Sequence, residues 1–118
     1  MSKILIVDDE PEVLRSLRIL LESVNYHVLL ANDGDEAIQI LEQTGDQISA
    51  VILDWSMPTM SGIEVLRWIK LQPTFEYLPV IMHTGMKHPA NIREGIESGA
   101  FYYLTKPTNG DVTISIVN

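Results

Sequence analysis

The sequence predicts an α/β domain in which a parallel sheet of five strands is covered by helices on both faces, a three-layer, doubly wound arrangement. Short aliphatic runs rich in β-branched residues alternate five times with segments of helical periodicity. Neither an internal repeat nor a long linker interrupts the alternation. At 118 residues the chain has the size of one compact domain, so we expect residues 1–118 to form a single domain.

The strand predictions depend on continuous apolar runs of the kind that suit a strand buried on both faces. These runs cover residues 4–7, 48–53, 80–83 and 101–104, and a weaker one covers residues 28–31. We expect the carboxyl ends of all five strands to lie along one edge of the sheet.

The helix predictions depend on apolar residues at helical spacing. In the first helix, which has Pro11 in its first turn, these are Val13, Leu14, Leu17, Leu20, Leu21 and Val24. In the second and third they are Ala37, Ile38, Leu41, Ile63, Leu66 and Ile69. A fourth helix follows Pro89, with Ile92 and Ile96 predicted to face inward, and ends near Gly99. Residues 112–118 are rich in β-branched residues, which have low helix propensity. We still predict a fifth helix there, because the alternation needs a helix to cover the sheet.

Composition excludes several function classes. The chain has 8 Lys and Arg against 16 Asp and Glu, a net charge of −8, which disfavours direct binding to nucleic acid or to an anionic membrane. Without cysteine it has no disulfide, thiolate metal site or cysteine nucleophile. It shows neither a signal peptide nor an apolar run of membrane-spanning length, so the expected location is the cytoplasm.

Polar residues follow the predicted strands at the edge where α/β sheets bind ligands. They are Asp8, Asp9 and Glu10 after the first strand, Asp54 after the third, Thr84 after the fourth, and Thr105 and Lys106 after the fifth. Each has an ordinary structural interpretation when taken alone. Asp8 and Asp9 could cap the first helix, Thr84 could be a turn hydroxyl, and Lys106 could be a solvated side chain. Their convergence on one edge favours a functional site.

Three converging carboxylates need a compensating charge. Two unit charges about 4 Å apart repel by about 4 kcal/mol at an effective dielectric constant of about 20. Mg²⁺ prefers oxygen ligands of this kind. With the repulsion relieved, the carboxylate of Asp54 can attack phosphorus and form an acyl phosphate. Lys106 supplies positive charge, and Thr84 a hydrogen bond, to the oxygens of the transferred group.

The chain resembles the response-regulator receiver domains of two-component signalling over nearly its whole length. The matching segments, in the family's order and spacing, are Val7-Asp8-Asp9-Glu10, Asp54-Trp55-Ser56-Met57-Pro58-Thr59-Met60-Ser61-Gly62, Thr84-Gly85 and Gly99-Ala100-Phe101-Tyr102-Tyr103-Leu104-Thr105-Lys106-Pro107. The resemblance implies a flavodoxin-like fold with strand order 2-1-3-4-5. It also implies phosphotransfer to Asp54 from a histidine kinase or a histidine phosphotransfer protein.

The resemblance also assigns roles to single residues. Asp9, Asp54 and the backbone carbonyl of Ser56 would bind Mg²⁺, with help from Asp8. Thr84 and Lys106 would contact the phosphate, and Thr84 and Tyr103 would form a switch pair. Pro58, Gly62 and Pro107 would have structural roles, and the peptide bond between Lys106 and Pro107 would be cis.

Two features depart from the family pattern. Trp55 is bulkier than the usual residue after the phosphoacceptor, which puts the packing near the site in doubt. The last helix is short and ends abruptly, which suggests an N-terminal fragment of a longer response regulator. The output domain, a homodimer contact around Tyr102 and Tyr103, and the cognate kinase therefore stay open.

Other functions fit the sequence less well. An aspartyl-phosphate phosphatase of the haloacid dehalogenase type would have a second Asp where this chain has Ser56. A nucleotide or flavin binder would have a glycine-rich loop after the first strand. A receiver-like binding module that is never phosphorylated is disfavoured because the acid, hydroxyl and lysine positions are all filled. His27, His83 and His88 lack metal-ligand spacing, and Trp68 and the methionines are predicted to be core or helix-surface residues.

Overall fold

The computed structural model describes residues 3–118, which form a five-stranded parallel sheet between two layers of helices. The strands are β1 (Lys3–Val7), β2 (His27–Ala31), β3 (Ile48–Leu53), β4 (Val80–Thr84) and β5 (Tyr102–Thr105). The helices are α1 (Pro11–Glu22), α2 (Gly34–Thr44), α3 (Gly62–Leu71), α4 (Pro89–Glu97) and α5 (Gly110–Val117). Short 3₁₀ helices at Gly45–Gln47 and Pro73–Phe75 precede β3 and β4.

The strand order is β2-β1-β3-β4-β5, and every adjacent pair is parallel. This confirms the predicted flavodoxin-like α/β fold. Residues alternate between two cores because successive strand side chains point to opposite faces of the sheet. Ile4, Ile6 and Ile52 pack under α1 and α5, whereas Leu5, Val51 and Leu53 pack under α2 and α3.

The helix ends follow local sequence signals. Pro11 and Pro89 occupy the first turns of α1 and α4, where their missing N–H leaves no helical hydrogen bond unmade. Ser61 begins α3 with a capping box, in which its hydroxyl accepts from the Glu64 N–H and Glu64 accepts from the Ser61 N–H. The predicted fifth helix is confirmed, and its apolar residues Ile116 and Val117 pack against the α1 side of the sheet.

The structure differs from the predictions at three apolar residues, of which Ile96 was expected to face inward, Val24 to lie in the first helix and Phe101 to begin the fifth strand. Ile96 is 46% exposed, and the buried residue of α4 is its neighbour Gly95. Val24 lies beyond the end of α1 and is exposed, because the chain turns toward β2 after Glu22. Phe101 precedes β5, which begins at Tyr102, and is 62% exposed. Ile92 is half-buried, so it only partly meets its prediction.

Candidate functional site

The sheet's own hydrogen bonds bring the predicted site residues together. The backbone N–H of Asp8 donates to Ala31 O at 3.1 Å, and that of Asp54 to Val7 O at 2.9 Å. The N–H of Lys106 donates to Thr84 O at 2.8 Å. These bonds extend the parallel ladders just past the strand ends. Side chains from β1, β3, β4 and β5 therefore meet at the carboxyl edge of the sheet.

Four carboxylates form a cluster at this edge. Asp8, Asp9, Glu10 and Asp54 each place an oxygen within 4.8 Å of the others. Asp8 and Asp54 are buried, the latter with 4% of its surface exposed, while Asp9 and Glu10 are exposed. Glu10 is part of the same cluster. The sequence placed it in the segment after the first strand but gave it no role in metal binding. A cluster with two buried members is electrostatically unfavourable unless positive charge offsets it.

The aspartates do not act as helix caps. Glu10 occupies the N-cap position of α1, and no side chain caps the helix there. A carboxylate oxygen of Asp8 instead accepts a hydrogen bond from the Glu10 N–H at 2.9 Å. This bond fixes the turn after β1 and leaves the second oxygen of Asp8 for other partners. The capping interpretation of Asp8 and Asp9 is therefore wrong.

Lys106 supplies the positive charge that the structure itself contains. Its ammonium nitrogen lies 2.9 Å from Asp8 Oδ2, 3.6 Å from Asp54 Oδ2 and 3.5 Å from Glu10 Oε1. Only 19% of its side chain is exposed, so the interpretation as a solvated lysine is wrong. The peptide bond to Pro107 is cis, as predicted.

The electrostatics of the site follow from burial and from these neighbours. Burial raises the pKa of Asp54, and the negative charge of Asp8 raises it further. Lys106 and hydrogen bonds from Thr84 and the Ser56 backbone act in the opposite direction but do not cancel this effect. Burial lowers the pKa of Lys106, yet its hydrogen bond to Asp8 and the surrounding carboxylates outweigh burial, so the net shift is upward.

A tight loop holds Asp54 in place. The Gly62 N–H donates to Trp55 O at 2.8 Å, which closes the loop from Asp54 to the start of α3. A Cβ atom at position 62 would lie 1.9 Å from the carbonyl oxygen of Asp54, so only glycine fits. Pro58 O accepts from the Met60 N–H at 2.8 Å within the loop, and Thr59 between them has a left-handed φ of 64°.

Thr84 and Tyr103 are linked through Met86, a residue that sequence reasoning treated only as a packing residue. The Thr84 hydroxyl is fully buried and accepts from the Met86 N–H at 3.3 Å. The Tyr103 hydroxyl donates to Met86 O at 2.8 Å. The turn interpretation of Thr84 is therefore correct, and the same hydroxyl also lies beside Asp54. No sequence signal identifies Met86, because backbone groups make both bonds.

The remaining candidates occupy ordinary positions. His83 is buried beside Thr84, and His27 and His88 are exposed, as predicted. Trp68 is half-buried against the core, and Met82 is fully buried. Trp55 is buried and packs edge-on against Tyr103, with 6.4 Å between ring centroids. The large Trp55 side chain is therefore accommodated by packing against Tyr103, the predicted switch residue.

The donor set fits a small hard cation. All four clustered side chains offer carboxylate oxygens, and the negative charges of the two buried members, Asp8 and Asp54, repel one another. The residues therefore match a receiver-type Mg²⁺ site. The Ser56 backbone lies close enough to Asp54 to lower the pKa of that carboxyl, while the metal-binding role of the Ser56 carbonyl stays a prediction.

The fold and the acidic pocket together define a phosphoacceptor-type signalling domain. The chain belongs to the response regulator receiver domain family, which it matches over residues 4–118. It is 39% identical over 109 residues to the transcriptional regulatory protein CpxR of Escherichia coli, covering 92% of this chain and 44% of CpxR. It thus spans less than half the length of that relative.

Solved structures give the same result. Chemotaxis protein CheY4 of Vibrio cholerae superposes with a TM-score of 0.91 at 29% identity, covering 99% of this chain and 96% of CheY4. A chain of the CheX-CheY-BeF3-Mg+2 complex from Borrelia burgdorferi superposes with a TM-score of 0.92 at 26% identity, covering 98% and 86%. Among residues 3–118, no helix is long and apolar enough to cross a membrane.

Proposed function

We propose that Asp54 accepts a phosphoryl group from a histidine kinase or a histidine phosphotransfer protein. The observation that carries the proposal is the position of Asp54: it lies almost fully buried within the acidic cluster, 3.6 Å from the Lys106 ammonium. A buried carboxylate with so many acidic neighbours is costly for stability, and such costs are typical of functional sites. The family membership supports the same role.

The transfer is a displacement at phosphorus. An oxygen of Asp54 forms a bond to phosphorus as the bond from phosphorus to the donor's imidazole nitrogen breaks, and the imidazole keeps that electron pair. Lys106 stabilises the negative charge on the transferred group, and Thr84 donates a hydrogen bond to one of its oxygens. Asp8, Asp9, Asp54 and the Ser56 carbonyl would hold Mg²⁺, which when bound supplies further positive charge.

Two details of the comparisons support this chemistry. The similar structure from Borrelia burgdorferi is described as a complex of CheX, CheY, BeF3 and Mg+2, and we extend the cation and the phosphoryl-like ligand to this chain. CpxR is described as a transcriptional regulatory protein and is more than twice as long as this chain. An output domain or a homodimer partner is therefore part of the proposal, with the exposed Phe101 and Tyr102 as contact residues.

The domain acts as a signalling phosphoacceptor rather than as an enzyme with turnover of an external substrate. Phosphorylation would draw the Thr84 hydroxyl toward the phosphoryl group and alter its bond to the Met86 N–H. Tyr103, bonded to the other side of Met86, would respond. We place this domain in the cytoplasm as a single unit over residues 1–118, without direct nucleic acid binding because of its charge of −8.

The competing functions are weaker. A phosphatase of the aspartyl-phosphate type would need an acid at position 56, where Ser56 cannot relay a proton as a carboxylate does. A module that is never phosphorylated would have no use for a buried acid at position 54 with a lysine 3.6 Å away and a threonine hydroxyl beside it.

Intact-mass spectrometry after incubation with acetyl phosphate and Mg²⁺ tests the proposal. Wild-type protein should gain one phosphoryl group. Asp54→Asn should gain none, and Asp46→Asn, an exposed aspartate outside the cluster, should behave as wild type. An undiminished adduct in Asp54→Asn would overturn the assignment. Absence of any adduct in the wild type would favour the unphosphorylated module.

A further inference from the structure

Gly95 lies in the last turn of α4, two residues before the helix ends at Glu97, and is the buried residue of that helix. Glycine is an unfavourable residue in a helix interior, because it loses more conformational freedom than alanine. Its presence at a buried helical position therefore calls for a local reason. The aromatic ring of Tyr103 provides one.

The space that a side chain at position 95 would occupy is filled by the Tyr103 ring. A Cβ atom there would lie 2.9 Å from both Cδ2 and Cε2 of Tyr103, closer than packed carbon atoms approach. The next nearest atom belongs to Met82, at 3.8 Å. The conflict is thus with one ring alone, and alanine at position 95 would require that ring to move.

Other contacts hold the ring in this position. Trp55 packs edge-on against it at 64°, and the Tyr103 hydroxyl donates to Met86 O. The Tyr103 ring therefore contacts Trp55 on one side and the backbone of α4 at Gly95 on another. Its hydroxyl is fixed by a hydrogen bond. Trp55 directly follows the proposed phosphoacceptor, and Met86 is bonded to the Thr84 hydroxyl.

We propose that Gly95 is a positioning residue. Because it has no side chain, it leaves the space in which the Tyr103 ring lies turned inward, against Trp55, before Asp54 is phosphorylated. The inward orientation of the Tyr103 ring is then already populated in the resting protein. Gly95 sets the size of that population. This second step rests on the proposed function of Asp54. If phosphorylation also favours the inward ring, losing Gly95 must weaken binding of a phosphoryl group by the same coupling.

Thermal unfolding of a double-mutant cycle tests the packing. Gly95→Ala should lower the melting temperature in the wild type, although alanine normally stabilises a helix interior. In a Tyr103→Ala background, the same substitution should raise it. Gly110→Ala is the matched control, because its Cβ would meet only the flexible end of Leu20, at 3.2 Å. A rise in melting temperature in both backgrounds would overturn the proposal.

NMR of the unmodified protein tests the position of the ring independently of any phosphorylation. Wild type and Gly110→Ala should show contacts between the Tyr103 and Trp55 rings, and Gly95→Ala should lose them. Retention of these contacts in Gly95→Ala would contradict the positioning role.

Beryllofluoride binding with Mg²⁺ tests the coupling. Gly95→Ala should bind about fivefold more weakly or worse. Unchanged affinity together with a displaced ring would overturn the coupling. Acetyl phosphate labelling of the wild type separates the two proposals: no adduct would reject the role of Asp54, while the melting and NMR results would still decide the role of Gly95.

Discussion

The Lys106 ammonium lies 0.7 Å closer to Asp8 Oδ2 than to Asp54 Oδ2, at 2.9 Å against 3.6 Å. Its hydrogen bond is made to Asp8, the buried acid that also fixes the turn after β1. In this state the lysine mainly compensates Asp8. A phosphoryl group on Asp54 would offer it a more highly charged partner.

Replacing Lys106 by methionine should therefore separate stability from chemistry. Without Mg²⁺, Lys106→Met leaves Asp8 buried and unpaired and should destabilise the fold by about 3 kcal/mol. Added Mg²⁺ should restore more stability to the variant than to the wild type, because the cation no longer competes with an ammonium group. Acetyl phosphate labelling should slow by about a hundredfold. Urea unfolding and intact-mass time courses measure both effects.

Lys87→Met is the matched control, because Lys87 is exposed and lies in the loop before α4. It should leave both measurements unchanged. Equal stability of Lys106→Met and wild type without Mg²⁺ would show that the contact with Asp8 contributes nothing.

Asp54→Asn should stabilise the protein in the absence of Mg²⁺. Burial and Asp8 raise the pKa of Asp54, so at neutral pH its ionised form opposes folding. The amide removes this penalty, so the free energy of unfolding at pH 7 should be higher for Asp54→Asn than for the wild type. The gain should shrink as pH falls through the raised pKa of Asp54 and should vanish below the ordinary value of 3.8, because the wild-type acid is then protonated in both states. Urea titrations across this range measure it.

Millimolar Mg²⁺ should reverse the order of stability. The wild type binds the cation with its full set of carboxylates. Its melting temperature should therefore rise more on addition of Mg²⁺ than that of Asp54→Asn or Asp9→Ala. Differential scanning calorimetry with and without Mg²⁺ gives the comparison. An identical Mg²⁺ response in all three proteins would place the cation elsewhere.

Much of this site could be predicted because its signals are local. Asp8, Asp54, Thr84 and Lys106 each stand at the end of an apolar run, and parallel strands bring their ends to one edge. The network around Met86 and Gly95 could not be predicted in the same way. Met86 contributes backbone groups, which leave no trace in the residue type, and Gly95 is explained only by the Tyr103 ring across the gap between α4 and β5.

The errors have a similar origin. Helical periodicity placed Ile96 inward, but α4 buries the side of Gly95 because the Tyr103 ring occupies that contact. Phe101 has the residue type of a core strand, yet it lies before the first residue of β5, outside the sheet, and is exposed. In both cases the tertiary structure around the residue, and not its residue type, decides whether it is buried.

His83 should make stability fall as pH drops from 6.5 to about 4. Burial lowers its pKa to about 4, with a further lowering from Lys106. Below pH 6.5 the unfolded chain binds a proton that the folded protein excludes, so unfolding is favoured by up to about 3 kcal/mol near pH 4. His83→Leu should lack this contribution, and the exposed His88 supplies the control His88→Gln. Urea unfolding from pH 7.5 to 4 measures the difference; parallel curves for wild type and His83→Leu would contradict the prediction.

Gly62→Ala should destabilise the fold by about 3 kcal/mol or more and abolish labelling of Asp54. The added Cβ would lie 1.9 Å from a backbone oxygen of Asp54 and 2.8 Å from Trp55 Cα, and backbone atoms cannot yield as a flexible side chain does. Gly85→Ala is the matched stability control, since no atom lies within 4 Å of its added Cβ. Chemical denaturation compares them, and a fully stable Gly62→Ala would refute the role of this glycine.

Thr84→Val tests whether the hydroxyl links the site to Tyr103. Valine keeps the shape of the fully buried side chain but cannot bond the Met86 N–H or a phosphoryl oxygen. Asp54 and Lys106 are retained, so acetyl phosphate should still label the variant, although more slowly by about tenfold, the effect of losing about 1.4 kcal/mol. The position of Tyr103 should no longer respond to beryllofluoride, because the hydroxyl that moves Met86 is missing. Thr84→Ser, which restores the hydroxyl at the cost of one methyl group, should recover both the rate and the response. NMR of the Tyr103 ring with and without beryllofluoride distinguishes the outcomes. A wild-type response in Thr84→Val would show that the signal reaches Tyr103 by another route, through Trp55, while the assignment of Asp54 would stand.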